Sequence, residues 1–166
     1  MTVTAAENRD RTPRLMLPPA DPDASAPFPL DPVLWAAGIN VTVRSAFRRL
    51  IGWKRYPGGV EAICRAVVED CWTGEFFAGS AGHFKQLWTR DLAMCTPSLC
   101  ALGERDRVVR SWAWALDRFE RAGRITTTIF GRRFARDVYA YACDSLPMLL
   151  YALRAAGAEH LVARRA

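Results

Sequence analysis

Gly82-His83-Phe84-Lys85-Gln86-Leu87-Trp88-Thr89-Arg90-Asp91-Leu92-Ala93-Met94 is the stretch that decides how this chain is read. An aromatic-rich segment ends at Trp88. The charged pair Arg90-Asp91 follows, and an apolar helical pattern begins at Leu92. That order sets an indole, a guanidinium and a carboxylate at the mouth of a helix. Such a set offers an apolar face to stack on and charged groups that bond hydroxyls with fixed geometry, as a sugar ring requires.

Upstream, Thr73 to Thr89 reads as a long loop, with Gly74, Gly79 and Gly82 set among Phe76, Phe77, Phe84 and Trp88. Loops this long inside a domain are functional or disordered, and this one is too aromatic for disorder. Before it, Val60, Ile63, Cys64, Val67, Val68, Cys71 and Trp72 recur at helical spacing, which predicts a helix over 60–72 with one broad buried face. Pro57-Gly58-Gly59 is a turn. Asp31-Pro32 resembles a helix start, with Asp as N-cap and Pro at N1, so a first helix is expected over 33–51. Residues 1–30 are polar and then Pro-rich, and are expected to be a disordered tail.

Downstream, the helix opened by Asp91 should reach Leu102 and stop at Gly103, with Pro97 either kinking it or making Thr96 a new cap. A helix over 104–122 follows. Val108, Trp112, Leu116 and Phe119 form its stripe, and Gly123 its cap. Ile125 to Phe134 switches to alternation, the mark of a short extended hairpin or an ordered loop. Asp144 or Ser145 then caps a helix carrying Leu146, Leu149, Leu150 and Leu153, ending at Gly157. Another helix can begin after Ala158. The expected fold class is all-α: helical hairpins, with long loops before the helices at Asp91 and Asp144.

Composition bounds the function. A 166-residue chain suits one domain with a real core. It is 51% apolar and 24% charged, and no apolar run approaches membrane-spanning length. With no basic-then-apolar leader, a cytoplasmic location and no membrane partner are expected. The net charge is +6, and only Lys54 and Lys85 are lysines. Around the 104–122 helix, arginines interleave with Glu104, Asp106, Asp117 and Glu120, as on a solvated face. Nucleic acid is therefore not the expected partner. The five cysteines include no C-x-x-C pair and read as buried thiols. With only His83 and His160 beside them, neither a zinc site nor a cofactor is expected.

Leu87-Trp88-Thr89-Arg90-Asp91-Leu92-Ala93 resembles the early Trp-Thr-Arg-Asp signature of the six-hairpin glycosidases. These are (α/α)6 toroid enzymes that include glucoamylases, glycogen-debranching glucosidases and neutral invertases. Asp144-Ser145-Leu146-Pro147 is similar to the start of the next inner helix in that family. The resemblance covers residues 59 to 157 and implies that residues 31–166 are the N-terminal portion of a toroid. It implies that Arg90 and Asp91 bind hydroxyls of a non-reducing-end sugar, with Trp88 shaping the subsite and Asp144 beside them. The partner would be an oligosaccharide, with a second chain or self-association completing the toroid. In that family the general acid and base come mainly from later hairpins.

Each site residue also has a plain structural role. Asp91 and Asp144 read equally as helix N-caps. Arg90 reads as a surface arginine and Trp88 as core. Asp137 can pair with Arg133 or Arg136, and Tyr139 lies near it. Glycoside hydrolysis needs two carboxylates across the scissile bond. Among the loop and cap acids Glu75, Asp91, Asp137 and Asp144, no pair can be assigned that task. His83, alone in its loop, is more often a bystander than a base. The alternative to a carbohydrate-active protein is a non-catalytic helical module that oligomerises or docks a partner through exposed apolar helix faces.

Overall fold

Thr89 is where the fold is fastened. Its backbone N–H donates to the Thr127 carbonyl at 2.9 Å, and its hydroxyl donates to the Thr126 carbonyl at 2.6 Å. The Thr128 hydroxyl donates to the Leu87 carbonyl at 2.7 Å. Thr89, Thr126 and Thr128 are fully buried, so these bonds run in a low-dielectric interior where losing one partner is costly. Two segments about forty residues apart are thereby locked, and the helix after Thr89 has a fixed origin.

The computed structural model describes residues 32–52, 54–82, 84–138 and 143–163. The expected tail at 1–30, with Asp31, His83 and Tyr139, lies outside the described residues. The elements are α1 (Pro32–Ile51), α2 (Val60–Cys71), β1 (Leu87–Trp88), α3 (Thr89–Ala101), α4 (Arg105–Arg121), β2 (Thr128–Phe130), β3 (Phe134–Arg136), α5 (Ser145–Ala156) and α6 (His160–Ala163). The chain is mostly helical, as the periodicities predict. It adds an antiparallel sheet of order β1-β2-β3, with Leu87 opposite Ile129 and Ile129 opposite Ala135. No helix among the described residues is long and apolar enough to cross a membrane.

The core lies among α3, α4, α5 and the sheet. Val108, Trp112 and Ala115 of α4, Leu149, Ala152 and Leu153 of α5, and Leu92 and Ala93 of α3 are buried together. The Trp112 indole N–H donates to the Thr96 hydroxyl at 3.2 Å, and that hydroxyl donates to the Leu92 carbonyl at 2.9 Å. A fully buried indole is thus satisfied. Thr96 therefore bonds backwards within α3 and caps nothing, and α3 runs through Pro97 to Ala101. Gly103 takes φ +92° in the tight turn between α3 and α4, a conformation glycine adopts without steric cost.

The α3–α5 contact is the most extensive between helices. Arg90, in the first turn of α3, meets Asp144, immediately before α5. The two helices therefore run side by side with their N-termini at the same end.

Three expectations need correcting. Asp91 is not the N-cap of α3. The helix starts two residues earlier, at Thr89, because the threonine clamp sets its origin, and Trp88 holds the cap position. The segment before α3 is not all loop. Leu87–Trp88 is a strand, Trp72 and Phe77 form a bridge, and Phe76 and Phe77 are buried core. Finally, the apolar face of α2 is not buried: none of its residues is fully covered, and Val60 and Cys64 are exposed. Periodicity marks a face as apolar, but a neighbour must exist to cover it.

Candidate functional site

The first turn of α3 sends its charged residues in two directions. Successive residues on a helix point about 100° apart. Arg90 turns toward α5, and its Nη1 donates to Asp144 Oδ2 at 3.1 Å. Both side chains are about half exposed, at 54% and 41%. Asp144 sits just before α5 but makes no side-chain capping bond, so its carboxylate serves Arg90 instead of the helix end. Met94 lies one turn on from Arg90 and is exposed, as are Leu146 and Leu150 on α5. The exposed ion pair is thus bordered by apolar surface.

Asp91 turns toward α2. It borders a cavity of about 250 Å³ lined by Val67, Val68 and Cys71 of α2 and by Trp88, Leu92 and Cys95. The Asp91 carboxylate makes no hydrogen bond or ion pair with another described residue. Trp88 is half-buried and stands edge-on to Phe84, with ring centroids 5.9 Å apart. Its indole N–H is buried without an acceptor. Gly79 lets the ring lie where it does: a Cβ there would come within 2.8 Å of Trp88 Cδ1. An apolar cavity with one carboxylate and one unsatisfied indole donor is a small amphipathic site.

Of the four expected site residues, Arg90 meets Asp144 directly and Trp88 shares a cavity with Asp91. The two pairs flank opposite sides of one helix end. The remaining loop acids are engaged elsewhere. Glu75 pairs with Arg132 at 3.3 Å. Asp137 accepts the Thr127 backbone N–H at 2.9 Å and faces Arg124 at 3.9 Å, which replaces the pairing expected with Arg133 or Arg136. That bond holds the threonine segment and gives Asp137 a structural task.

Burial pushes the thiol pKa of Cys71 and Cys95 up, with the Asp70 charge adding to the effect at Cys71 and the Asp91 charge at Cys95. Both thiols are therefore protonated and weakly nucleophilic at neutral pH. No cluster of three metal-ligating side chains occurs among the described residues.

The α2 contribution to the cavity is the part that sequence reasoning missed. Val67, Val68 and Cys71 read as core from their spacing, and no local signal separates a covered face from a cavity wall. A larger cavity of about 510 Å³ lies between α1 and the β2–β3 turn, lined by Ala37, Val41, Arg44, Gln86, Phe130 and Phe134. Neither Arg90 nor Asp144 lines it.

No family model, curated protein or solved structure matches the chain.

Proposed function

We propose that this protein is carbohydrate-active, of the glycoside hydrolase type, and binds the non-reducing end of a glucan-like oligosaccharide at the N-terminal end of α3. In this reading the α3–α5 pair is part of the inner layer of an (α/α)6 toroid. The observation that carries it is the meeting of Arg90 and Asp144, 54 residues apart in sequence, at the N-terminal ends of α3 and α5. Arg90, Asp144 and the unengaged Asp91 supply charged partners for hydroxyls. Trp88 and the apolar cavity supply a face for a sugar ring. Charge-assisted bonds of this kind are about twice as strong as neutral ones, and their geometry selects among hydroxyls.

Turnover by this chain alone is not proposed. Among the described residues Glu75 and Asp137 are held in ion pairs and Asp144 pairs with Arg90, so neither an acid nor a base for hydrolysis is assigned. The test is isothermal calorimetry with maltooligosaccharides and sucrose on the wild type, Arg90→Ala and Asp91→Asn. Loss of a charged hydrogen bond is worth roughly 1.5–3 kcal/mol, so each variant should bind about ten- to a hundredfold more weakly with its circular dichroism unchanged. Equal affinity in all three proteins would sink the proposal.

A further inference from the structure

The most apolar face of α1 points away from the body of the protein. Trp35, Ile39, Val43, Phe47 and Leu50 recur at the i, i+4 and i+3 spacing that puts them on one face, and Ile51 flanks them. All six are more than half exposed, from Trp35 at 56% to Leu50 at 85%. The opposite face is the one turned inward. Ala37, Val41 and Arg44 line the cavity against the β2–β3 turn, and Arg48 reaches Gly82. A monomer rarely leaves so long an apolar stripe in water.

We propose that α1 pairs with α1 of a second copy of this chain, antiparallel about a two-fold axis near Val43. Area is the first argument. Six half-exposed large side chains leave on the order of 800 Å² accessible, close to the ~800 Å² that each partner contributes to a standard interface. Spacing is the second. A stripe repeating every fourth residue is a ridge that packs into the equivalent groove of an identical helix.

Charge is the third argument, and it sets the orientation. α1 carries Arg44, Arg48 and Arg49 and no acid. A parallel pair would bring the Arg48-Arg49 ends together. An antiparallel pair separates them by roughly 20 Å, beyond the ~10 Å over which exposed charges interact. It also sets Arg49 of each copy at the Trp35 end of the other, where a guanidinium over an indole is favourable. A two-fold contact of this kind closes on itself and forms no chain of copies. This inference is independent of the sugar-binding proposal, because the stripe includes none of Trp88, Arg90, Asp91 or Asp144.

The test is sedimentation velocity on the full chain over a wide concentration range. The expected result is a species of twice the 18.6 kDa monomer mass that dissociates on dilution. Val43→Asp places two like charges at the axis and should weaken the dimer roughly a hundredfold or more. If that variant loses helix content, Val43→Cys decides instead: under mild oxidation it should link two copies through position 43, located by peptide mass. A wild type that stays monomeric at every concentration overturns the proposal. So does a dimer that Val43→Asp leaves intact with its helix content unchanged. A monomer that cosediments with vesicles containing anionic phospholipid also overturns it, and assigns the stripe to a lipid surface.

Discussion

Breaking the Arg90–Asp144 pair should cost little stability, as the proposed use of both residues for binding requires. The contact is a single N–H···O bond at 3.1 Å between side chains that are 54% and 41% exposed. Two unit charges at such a distance in water attract by about 1 kcal/mol. Ordering two flexible side chains removes part of this, and exposed pairs measured by double-mutant cycles give about 0.2–1 kcal/mol. The perturbation is therefore the cycle Arg90→Ala, Asp144→Ala and the double variant, followed by urea unfolding. The expected coupling is about 0.5 kcal/mol, falling toward zero in molar salt, because screening then acts within ~3 Å. Each single variant should lower Tm by less than about 4 °C, at roughly 2–4 °C per kcal/mol for a chain of this size. A coupling above about 2 kcal/mol that resists salt would refute the reasoning. The pair would then be a clamp joining α3 to α5, and neither charge would be available to a hydroxyl.

Two further outcomes follow from the interior and from the thiols. Thr96→Val removes the acceptor of the fully buried Trp112 indole N–H while keeping the side-chain shape, so unfolding in urea should show a loss of about 1–3 kcal/mol. Thr96→Ser, which keeps the hydroxyl, should cost less, and equal losses in the two variants would disprove the role of the bond. Burial raises the thiol pKa of Cys71 and Cys100, so less thiolate is present at a given pH than at an unperturbed thiol. Iodoacetamide at mildly alkaline pH should therefore modify exposed Cys64 and Cys143 before Cys71 and Cys100, as peptide mass mapping would reveal. For a group whose folded pKa is raised, the stability it contributes is intact below the ordinary thiol pKa and declines as pH rises above it. The conformational stability of the reduced protein should accordingly fall on the alkaline side.

The helices were legible because their signals are local. The 3.6-residue stripe of α4 and the glycines at 103, 123 and 157 bound their elements to within a residue or two, and all four stripe residues of α4 are buried. The sheet was only half legible. The alternation through residues 125–134 marks a hairpin, but β1 is two residues long and exists because Leu87 and Trp88 face Ile129 and Thr128. No local pattern encodes that meeting. Asp91 was misread as a cap for the same reason, since the origin of α3 is set by hydrogen bonds to Thr126 and Thr127. For α2, periodicity identified apolar residues correctly but said nothing of what covers them. The exposed stripe of α1 and the half-open cavity beside α2 are surfaces that only the tertiary arrangement reveals.

The divergence of Arg90 and Asp91 constrains where a ligand can sit. Adjacent residues in the first turn of a helix cannot both reach a molecule lying along its side. Both can reach one placed over its end. The end of α3 is suited to that position. Trp88 holds the cap site without a side-chain capping bond; the Thr127 carbonyl takes the Thr89 N–H, which leaves the donors of Arg90 and Asp91 at the helix end. Arg90 and Asp144 stand on the α5 side, Asp91 and the cavity on the α2 side, and the positive end of the helix dipole lies between them. A flat molecule rimmed with hydroxyls can bridge these groups at once, accepting from backbone N–H and guanidinium and donating to the two carboxylates. A compact anion would be repelled by Asp91 and Asp144. A purely apolar molecule would fill the cavity and leave the charged groups unused. The proposed polyhydroxylated ring is a ligand that would use both sides of the helix end.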